Sequence, residues 1–337
     1  MLKLFIPLIS LSCFFAMSYS YAQSFETLLD RCLIKTIKKT DKNKTLQQIE
    51  DFCEKKIVKE QLGSEELGAI SERMIKEKKS AFDPYVITPH KMNYILPVTI
   101  TDGINKAAYA GYSNWEEQLR DIETKFQLSI KVPLTTGSFL NSGDQLFFGF
   151  TLESWWQLYT HKISRPFRET NYQPEIFYFT PTSWHPFKTN TAMMIGFEHQ
   201  SNGRSMLLSR SWNRVYANFL FEKNNLAVSF RTWYRIPEGS QATTVDIIGD
   251  DNPDINEYMG YFELSTVYKW NNKYEASMKL RESFAHHHGA IELGITFPLW
   301  GKLKGYAQYF NGYGESLIDY NHRQQRLGIG FALTDIL

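Results

Sequence analysis

The chain has 337 residues, 43% of them hydrophobic and 22% charged, so its core is not limited by size, and one large domain or two ordinary ones fit the length. Lys and Arg number 37 against 36 Asp and Glu; this balance argues against a nucleic-acid partner, because phosphate binding needs a basic surplus or a basic stripe. A mean hydropathy of −0.36 excludes a bundle of membrane helices, while 24 Phe, 19 Tyr and 8 Trp favour the β-barrels of outer membranes, whose rings form girdles at the two interfaces.

Residues 1–22 read as a secretory signal peptide. Lys3 supplies the single positive charge, Leu4 to Met17 is almost entirely apolar, and Ser20 and Ala22 put small residues at the −3 and −1 positions of a cleavage site. The apolar run is too short for a membrane helix, and no later stretch approaches the roughly 20 apolar residues a spanning helix needs. An exported chain of this kind enters a membrane only through strands. Residues 23–84 form a Lys-rich extension. Phe25, Leu28, Leu29 and Leu33 fall near a helical period, as do Leu46, Ile49 and Phe52, which predicts two short helices. Cys32 and Cys53 are the cysteines left after the signal, and export to an oxidising compartment predicts a disulfide between them. Lys35, Lys38, Lys39, Lys42, Lys44, Lys55 and Lys56 read as a solvated face.

From residue 85 to 337 the period changes to two. Phe126, Leu128, Ile130 and Val132 alternate with polar neighbours, as do Phe262 to Tyr268, Ile291 to Phe297 and Leu327 to Leu333. Turn signals separate such runs at Thr101-Asp102-Gly103, Asn141-Ser142-Gly143-Asp144, Asp250 to Asp254 and Asn271-Asn272. A membrane strand with its connection takes about 20 residues, so the segment holds about twelve. The expected fold is all-β: a twelve-stranded antiparallel transmembrane barrel with a short helical N-terminal extension. Trp155-Trp156, Tyr159, Trp184 and Trp300 are expected near strand ends, and the last strand is expected to run to Leu337. A soluble β-sandwich is the competing architecture.

Chemistry concentrates between Gly196 and Phe221. His199 and Ser201 are two apart, and on a strand such residues project side by side from one face. That spacing brings an imidazole to a serine hydroxyl. Asn213 follows on the next strand, where an amide oxygen would accept the His199 Nδ1–H and fix its tautomer, as in nucleophilic triads. Parity sharpens this reading. Met193, Ile195 and Phe197 share parity with His199 and Ser201, and Val215, Ala217, Phe219 and Phe221 share it with Asn213. In a barrel the apolar parity faces lipid, so all three groups are expected on the lipid-facing wall, with a lipid as substrate.

These blocks resemble the outer-membrane phospholipase A family over about residues 90–337. The most specific stretch is His199-Gln200-Ser201-Asn202-Gly203-Arg204-Ser205 followed by Ser209-Arg210-Ser211-Trp212-Asn213-Arg214. Supporting stretches are Ser154 to Leu158, Pro166 to Tyr172, Asp250 to Asp254 and Gly312 to Tyr320. The resemblance implies a Gram-negative outer membrane and calcium-dependent hydrolysis of acyl esters of glycerophospholipids and lysophospholipids, at sn-1 and sn-2, in an active homodimer. It implies that Ser201 is the nucleophile, His199 the general base and then acid, Asn213 the group that orients His199, and the Gly203 N–H a donor to the oxyanion. It implies calcium ligands at the Arg204 carbonyl, the Ser209 hydroxyl, the partner subunit's Ser164 carbonyl, and Asp251. Where the family commonly has Asp-Pro-Thr this chain has Met206-Leu207-Leu208, which removes a carboxylate from the calcium region of the monomer. A second barrel against the convex wall would enclose an acyl chain that a lone wall leaves open, which gives the dimer a physical rationale.

The remaining motifs carry plainer expectations. His286-His287-His288 reads as a polar loop, and His90, His161, His185 and His322 as surface or interface groups. No GxSxG elbow is present, which argues against an α/β-hydrolase. Two other functions compete: a porin-like or structural barrel, in which Ser201 would share the lumen with Glu198 and Gln200, and an adhesion barrel acting through the Lys-rich extension. Cys32 and Cys53 of the native protein are both expected to resist alkylation until a reductant is added; mass spectrometry that finds two labelled thiols without reductant would contradict the bridge.

Overall fold

The structure, a computed structural model, describes residues 25–39, 44–62, 68–80, 87–111, 115–135, 138–141, 143–239, 249–271, 273–301, 303–334 and 336. The expected signal segment, Lys42, Ser142, Asn272 and Leu337 lie outside them.

Twelve antiparallel strands close into a barrel, as the alternation predicts. They are β2 (Tyr94–Thr101), β3 (Ile122–Pro133), β4 (Gln145–Trp156), β5 (Phe167–Thr182), β6 (Asn190–Ser201) and β7 (Ser211–Lys223), followed by β8 (Leu226–Ile236), β9 (Phe262–Trp270), β10 (Tyr274–Ser283), β11 (His288–Trp300), β12 (Leu303–Tyr313) and β13 (Arg323–Ala332). Each strand pairs with its sequence neighbours, and β13 pairs with β2 to close the ring. A two-residue strand, β1 (Thr88–Pro89), continues the β2 side of β3. Closure leaves no free sheet edge, which a wall in lipid requires.

Alternation sorts the side chains. Leu128, Ile176, Ile195, Val215, Leu293 and Ile329 stand exposed on the outer face. Their neighbours Ser129, Glu175, Gly196 and Arg214 are turned inward and buried. Trp155-Trp156 closes β4, at a strand end as expected, and alternation sends the two rings to opposite faces. Trp155 is fully buried inside with the Lys125 ammonium 5.2 Å from its ring, while Trp156 stacks on Phe167 at the wall. The last strand stops earlier than expected. It ends at Ala332, and the chain turns in so that the Ile336 N–H donates to Glu275 at 3.0 Å.

The interior is held by ion pairs. Arg231 lies 2.6 Å from Glu198, which also pairs with Arg214. At the rim where β6 ends, Arg168 binds Glu123 at 2.7 Å and Asp319 at 2.9 Å. Glu315 takes Arg326 at 2.7 Å and Lys125 at 3.1 Å. Burial by itself pushes the Glu315 carboxyl up, but Arg326 and Lys125 overcome this and hold it down to about 2. Glu315 to Tyr320, the connection from β12 to β13, is buried throughout and folds into this rim. There Leu317 and Tyr320 pack with Trp212, Trp233, Ile255 and Met259. His90 belongs to the interior as well, contrary to its reading as a surface group. Its Nε2 is 2.8 Å from Glu175 and its ring stacks on Phe177 at 5.0 Å.

The extension contains three helices where two are expected. α1 (Phe25–Ile37) and α2 (Leu46–Leu62) form a hairpin joined by the Cys32–Cys53 disulfide. α3 (Ala69–Ser80) has only a thin apolar stripe, which is why periodicity does not reveal it. Polar contacts at the barrel mouth hold it instead. Ser71 donates from N and Oγ to Glu222 at the end of β7, at 2.9 and 2.5 Å. Across the mouth, Glu77 meets Lys131 of β3 at 2.7 Å, and Arg73 donates to the Ile336 and Pro89 carbonyls. Ile70, Arg73, Met74 and Glu77 thus line one end of a cavity of about 470 Å³ inside the barrel.

Glu315→Ala would take one of two carboxylate partners from each of Lys125 and Arg326, leaving Glu153 at 3.1 Å and Glu123 at 3.0 Å, and is expected to destabilise the barrel by about 1–3 kcal/mol. Because folding depresses this carboxyl, its stabilisation is present above an unfolded value of about 4.3 and is lost as pH falls towards 2. Urea unfolding in detergent at pH 7 and pH 3 checks both points: the wild type should lose part of its advantage over the variant at the lower pH.

Candidate active site on the outer wall

The ladder between β6 and β7 builds the site. His199 stands directly opposite Asn213, and Ser201 opposite Ser211. Ile195 and Phe197 on β6 and Val215 on β7 share this face and are exposed, whereas Glu198, Gln200, Trp212 and Arg214 face the lumen and are buried. His199, Ser201 and Asn213 therefore stand together on the outer wall, and Ser201 does not line the lumen with Glu198 and Gln200.

His199 Nδ1 lies 2.9 Å from Asn213 Oδ1. A second contact fixes which amide atom faces the ring. Asn213 Nδ2 donates to Glu238 Oε1 at 2.9 Å, and an ionised carboxylate only accepts. Oδ1 is then the atom turned to His199, and it too only accepts, so the proton sits on Nδ1. Nε2 is left with its lone pair, and Ser201 stands two residues along the same strand with the same parity.

Beyond Ser201 the chain turns sharply. Gly203 has φ +63°, in the left-handed region that favours glycine, and a Cβ there would meet the Tyr172 ring at 3.3 Å. Asn202 is buried and organises the loop up to Arg210. Its Oδ1 accepts the N–H groups of Arg204 and Arg210 at 3.2 and 3.0 Å, and its Nδ2 donates to the Leu208 carbonyl at 2.8 Å. The Arg204 guanidinium acts as a strut, donating to the Phe167 and Arg168 carbonyls at 2.7 and 3.1 Å. Met206 and Leu207 are exposed at the loop tip.

A second loop meets the first. Asn252 is fully buried, and its Oδ1 accepts the Ser211 N–H at 3.1 Å. Arg235 binds Asp250 at 2.5 Å and the Pro253 carbonyl at 3.1 Å. These contacts bring Asp251 to Ser209, whose Oγ donates to Asp251 Oδ2 at 2.5 Å. Oxygen donors alone meet here, a set that fits a hard cation such as calcium better than a soft metal. Among the described residues, no group of three or more His, Cys, Asp or Glu is placed to hold a metal. Ser164 lies on another loop, between β4 and β5, exposed and with φ 57°. Of the histidine tract, His288 stacks on Tyr258 at 4.4 Å and starts β11, while His286 and His287 are exposed in the turn before it.

Three residues of the site carry no signal of their role in the sequence. Asn202 and Asn252 hold the two loops, and Glu238 holds the Asn213 amide. Asn202 is visible within the motif, but nothing there points to its work as a loop brace. Finding Glu238 needs the β7–β8 register, which sets Ile236 opposite Asn213.

A closed barrel with an apolar outer wall defines a protein of the outer membrane, with Ser201, His199 and Asn213 grouped on that wall. The family model described as phospholipase A1 matches residues 70–333. A phospholipase A1 of Klebsiella pneumoniae is 40% identical over 257 residues, covering 75% of this chain and 84% of that protein. The outer membrane phospholipase dimer of Salmonella typhi, solved with bound calcium, has a TM-score of 0.69 at 39% identity, covering 76% of this chain and 94% of that one. An active-site mutant of Escherichia coli outer membrane phospholipase A, with an asparagine replaced by alanine, has a TM-score of 0.70 at 37% identity, covering 76% and 95%. The chain belongs to the phospholipase A1 family and is a carboxylic ester hydrolase of the outer membrane.

Asn202→Ala removes the acceptor shared by Arg204 and Arg210 at a buried position, at an expected cost of about 1–3 kcal/mol to the loop. Hydrogen exchange followed by mass spectrometry should show faster exchange at residues 203–210 while the strands keep their protection.

Proposed function

We propose that this enzyme hydrolyses the acyl esters of glycerophospholipids and lysophospholipids, at sn-1 and sn-2, through Ser201, His199 and Asn213, with calcium and as a homodimer. The observation that carries this reading is the His199–Asn213 hydrogen bond on the outer wall. It leaves Nε2 without a proton, on a residue that shares the outer face with Ser201, the surface where acyl esters lie.

In the proposed cycle, His199 Nε2 takes the Ser201 Oγ proton as Oγ attacks the ester carbonyl carbon. The carbon–oxygen bond to glycerol then breaks, and Nε2 returns the proton to the leaving alkoxide. A water repeats the sequence on the acyl-serine: Nε2 takes its proton, the acyl bond to Oγ breaks, and the proton returns to Oγ as the fatty acid leaves. Asn213 keeps the Nδ1 proton in place throughout, and the Gly203 N–H serves the developing oxyanion. The Arg204 carbonyl, the Ser209 hydroxyl and Asp251, with the partner subunit's Ser164 carbonyl, would hold calcium. When bound, the ion supplies positive charge beside that oxyanion, worth several kcal/mol in a dry site. Two findings about relatives support the reading. The Salmonella typhi dimer carries calcium, and the Escherichia coli mutant identifies an active-site asparagine.

A porin-like barrel is the alternative. The Ser201 parity and the α3 helix across the lumen mouth both weigh against it.

Fatty-acid release from phospholipid in mixed micelles tests the proposal. Release should need calcium, stop with chelator, and fall by a factor of at least about 10⁴ in Ser201→Ala. Monomers should bind calcium weakly, since Met206-Leu207-Leu208 offers no carboxylate. A folded Ser201→Ala dimer that still hydrolyses ester would remove Ser201 from the chemistry.

A further inference from the structure

We propose that Glu238 is a positioning residue of the hydrolytic site, supplying to His199 through the Asn213 amide the negative charge that asparagine lacks. The inference rests on the reading of Ser201, His199 and Asn213 given above and adds to it a residue outside that trio.

Its physical basis is a deficit. The imidazole becomes imidazolium each time it takes the serine or water proton. A carboxylate facing Nδ1 stabilises that cation by charge as well as geometry, and a neutral amide supplies chiefly geometry. Here the carboxylate stands one group further out, with Asn213 between it and the ring. When Glu238 accepts from Nδ2, it draws electron density through the amide towards Oδ1. The Nδ1–H···Oδ1 bond strengthens as a result, which is the ordinary cooperativity of a hydrogen-bonded chain. No proton leaves Nδ1 and no bond breaks. Asn213 and Glu238 keep their protonation through the cycle.

The fold holds Glu238 for this purpose. Ile236 is the ladder partner of Asn213, and Glu238 lies two residues on, with the same parity and on the same outer face. Pro237 ends the strand, having no N–H to offer a ladder. Beyond it the Gly239 carbonyl accepts the Asp250 N–H at 2.8 Å, tying the strand end to the loop that carries Asp251. Among the described residues, the titratable groups presented to His199 on this face are Tyr172 of β5, Tyr234 of β8 and Glu238. Arg214, Arg235 and Glu198 face the interior. Of these outward groups, Glu238 alone is a carboxylate.

The test is a cycle of variants on the full-length, refolded enzyme, using a chromogenic or fluorogenic ester in micelles with calcium. Glu238→Gln keeps an acceptor for Nδ2 and removes the charge. It should lower kcat on the order of tenfold with KM unchanged, the size of one charge-assisted hydrogen bond. In an Asn213→Ala background the link to the ring is gone, so adding Glu238→Gln should change kcat by less than about twofold. Heat-modifiable migration on gels confirms that each variant is folded. A kcat within about twofold of wild type for Glu238→Gln would overturn the proposal. So would a tenfold loss that persists in the Asn213→Ala background, since that is what a role in loop structure alone produces. Ser201→Ala is run beside them. Retained hydrolysis there would defeat the reading of the site itself, whereas its loss with an indifferent Glu238→Gln would defeat only the inference about Glu238.

Discussion

The register between β6 and β7 is the constraint on which the site depends. Twelve residues of β6 pair in unbroken order with twelve of β7, from Asn190 opposite Glu222 to Ser201 opposite Ser211. A slip of one residue would turn a whole strand over. If β6 turned, Glu198 would face lipid, and His199 would turn into the lumen away from Asn213. The pairs Glu198–Arg214 and Gln200–Trp212 oppose this from inside. The charge network in the lumen and the apolar residues on the wall therefore select one register between them, and that register places His199 and Asn213 together on the face that meets lipid.

The two ends of the barrel are treated differently. At the rim near the site the interior is filled with buried ion pairs and an aromatic cluster, so the strand ends that carry Ser201 and Asn213 stand on a rigid base. From the other rim a cavity runs inward as far as Glu315 and Leu317, and α3 lies across its mouth.

Much of this architecture is legible in the amino-acid sequence. Period two in Phe126 to Val132 and Ile291 to Phe297 reports which face each residue takes, because the strand repeat allows no other arrangement. The outward placement of His199, Ser201 and Asn213 follows from the same rule. What stays hidden depends on contacts between distant segments. Trp155-Trp156 reads as a pair near a strand end, and which ring turns inward depends on the lumen contact of Trp155 with Lys125. His90 has no partner within reach along the chain; Glu175 is brought to it by barrel closure. Glu238 reaches Asn213 through the β7–β8 ladder, and a residue just past a strand has no pattern of its own. α3 is hidden for a related reason, since its polar partners lie on four different elements.

Those partners have a bearing on how the chain assembles. The groups that hold α3 lie on β3 and β7, and on the segment that follows β13. They form a single docking surface only when the ring has closed between β13 and β2. The helix precedes every strand in the sequence, yet its full set of contacts is among the last that folding completes. A seated α3 therefore marks a finished barrel, and a chain with one strand out of place has no complete seat to offer it.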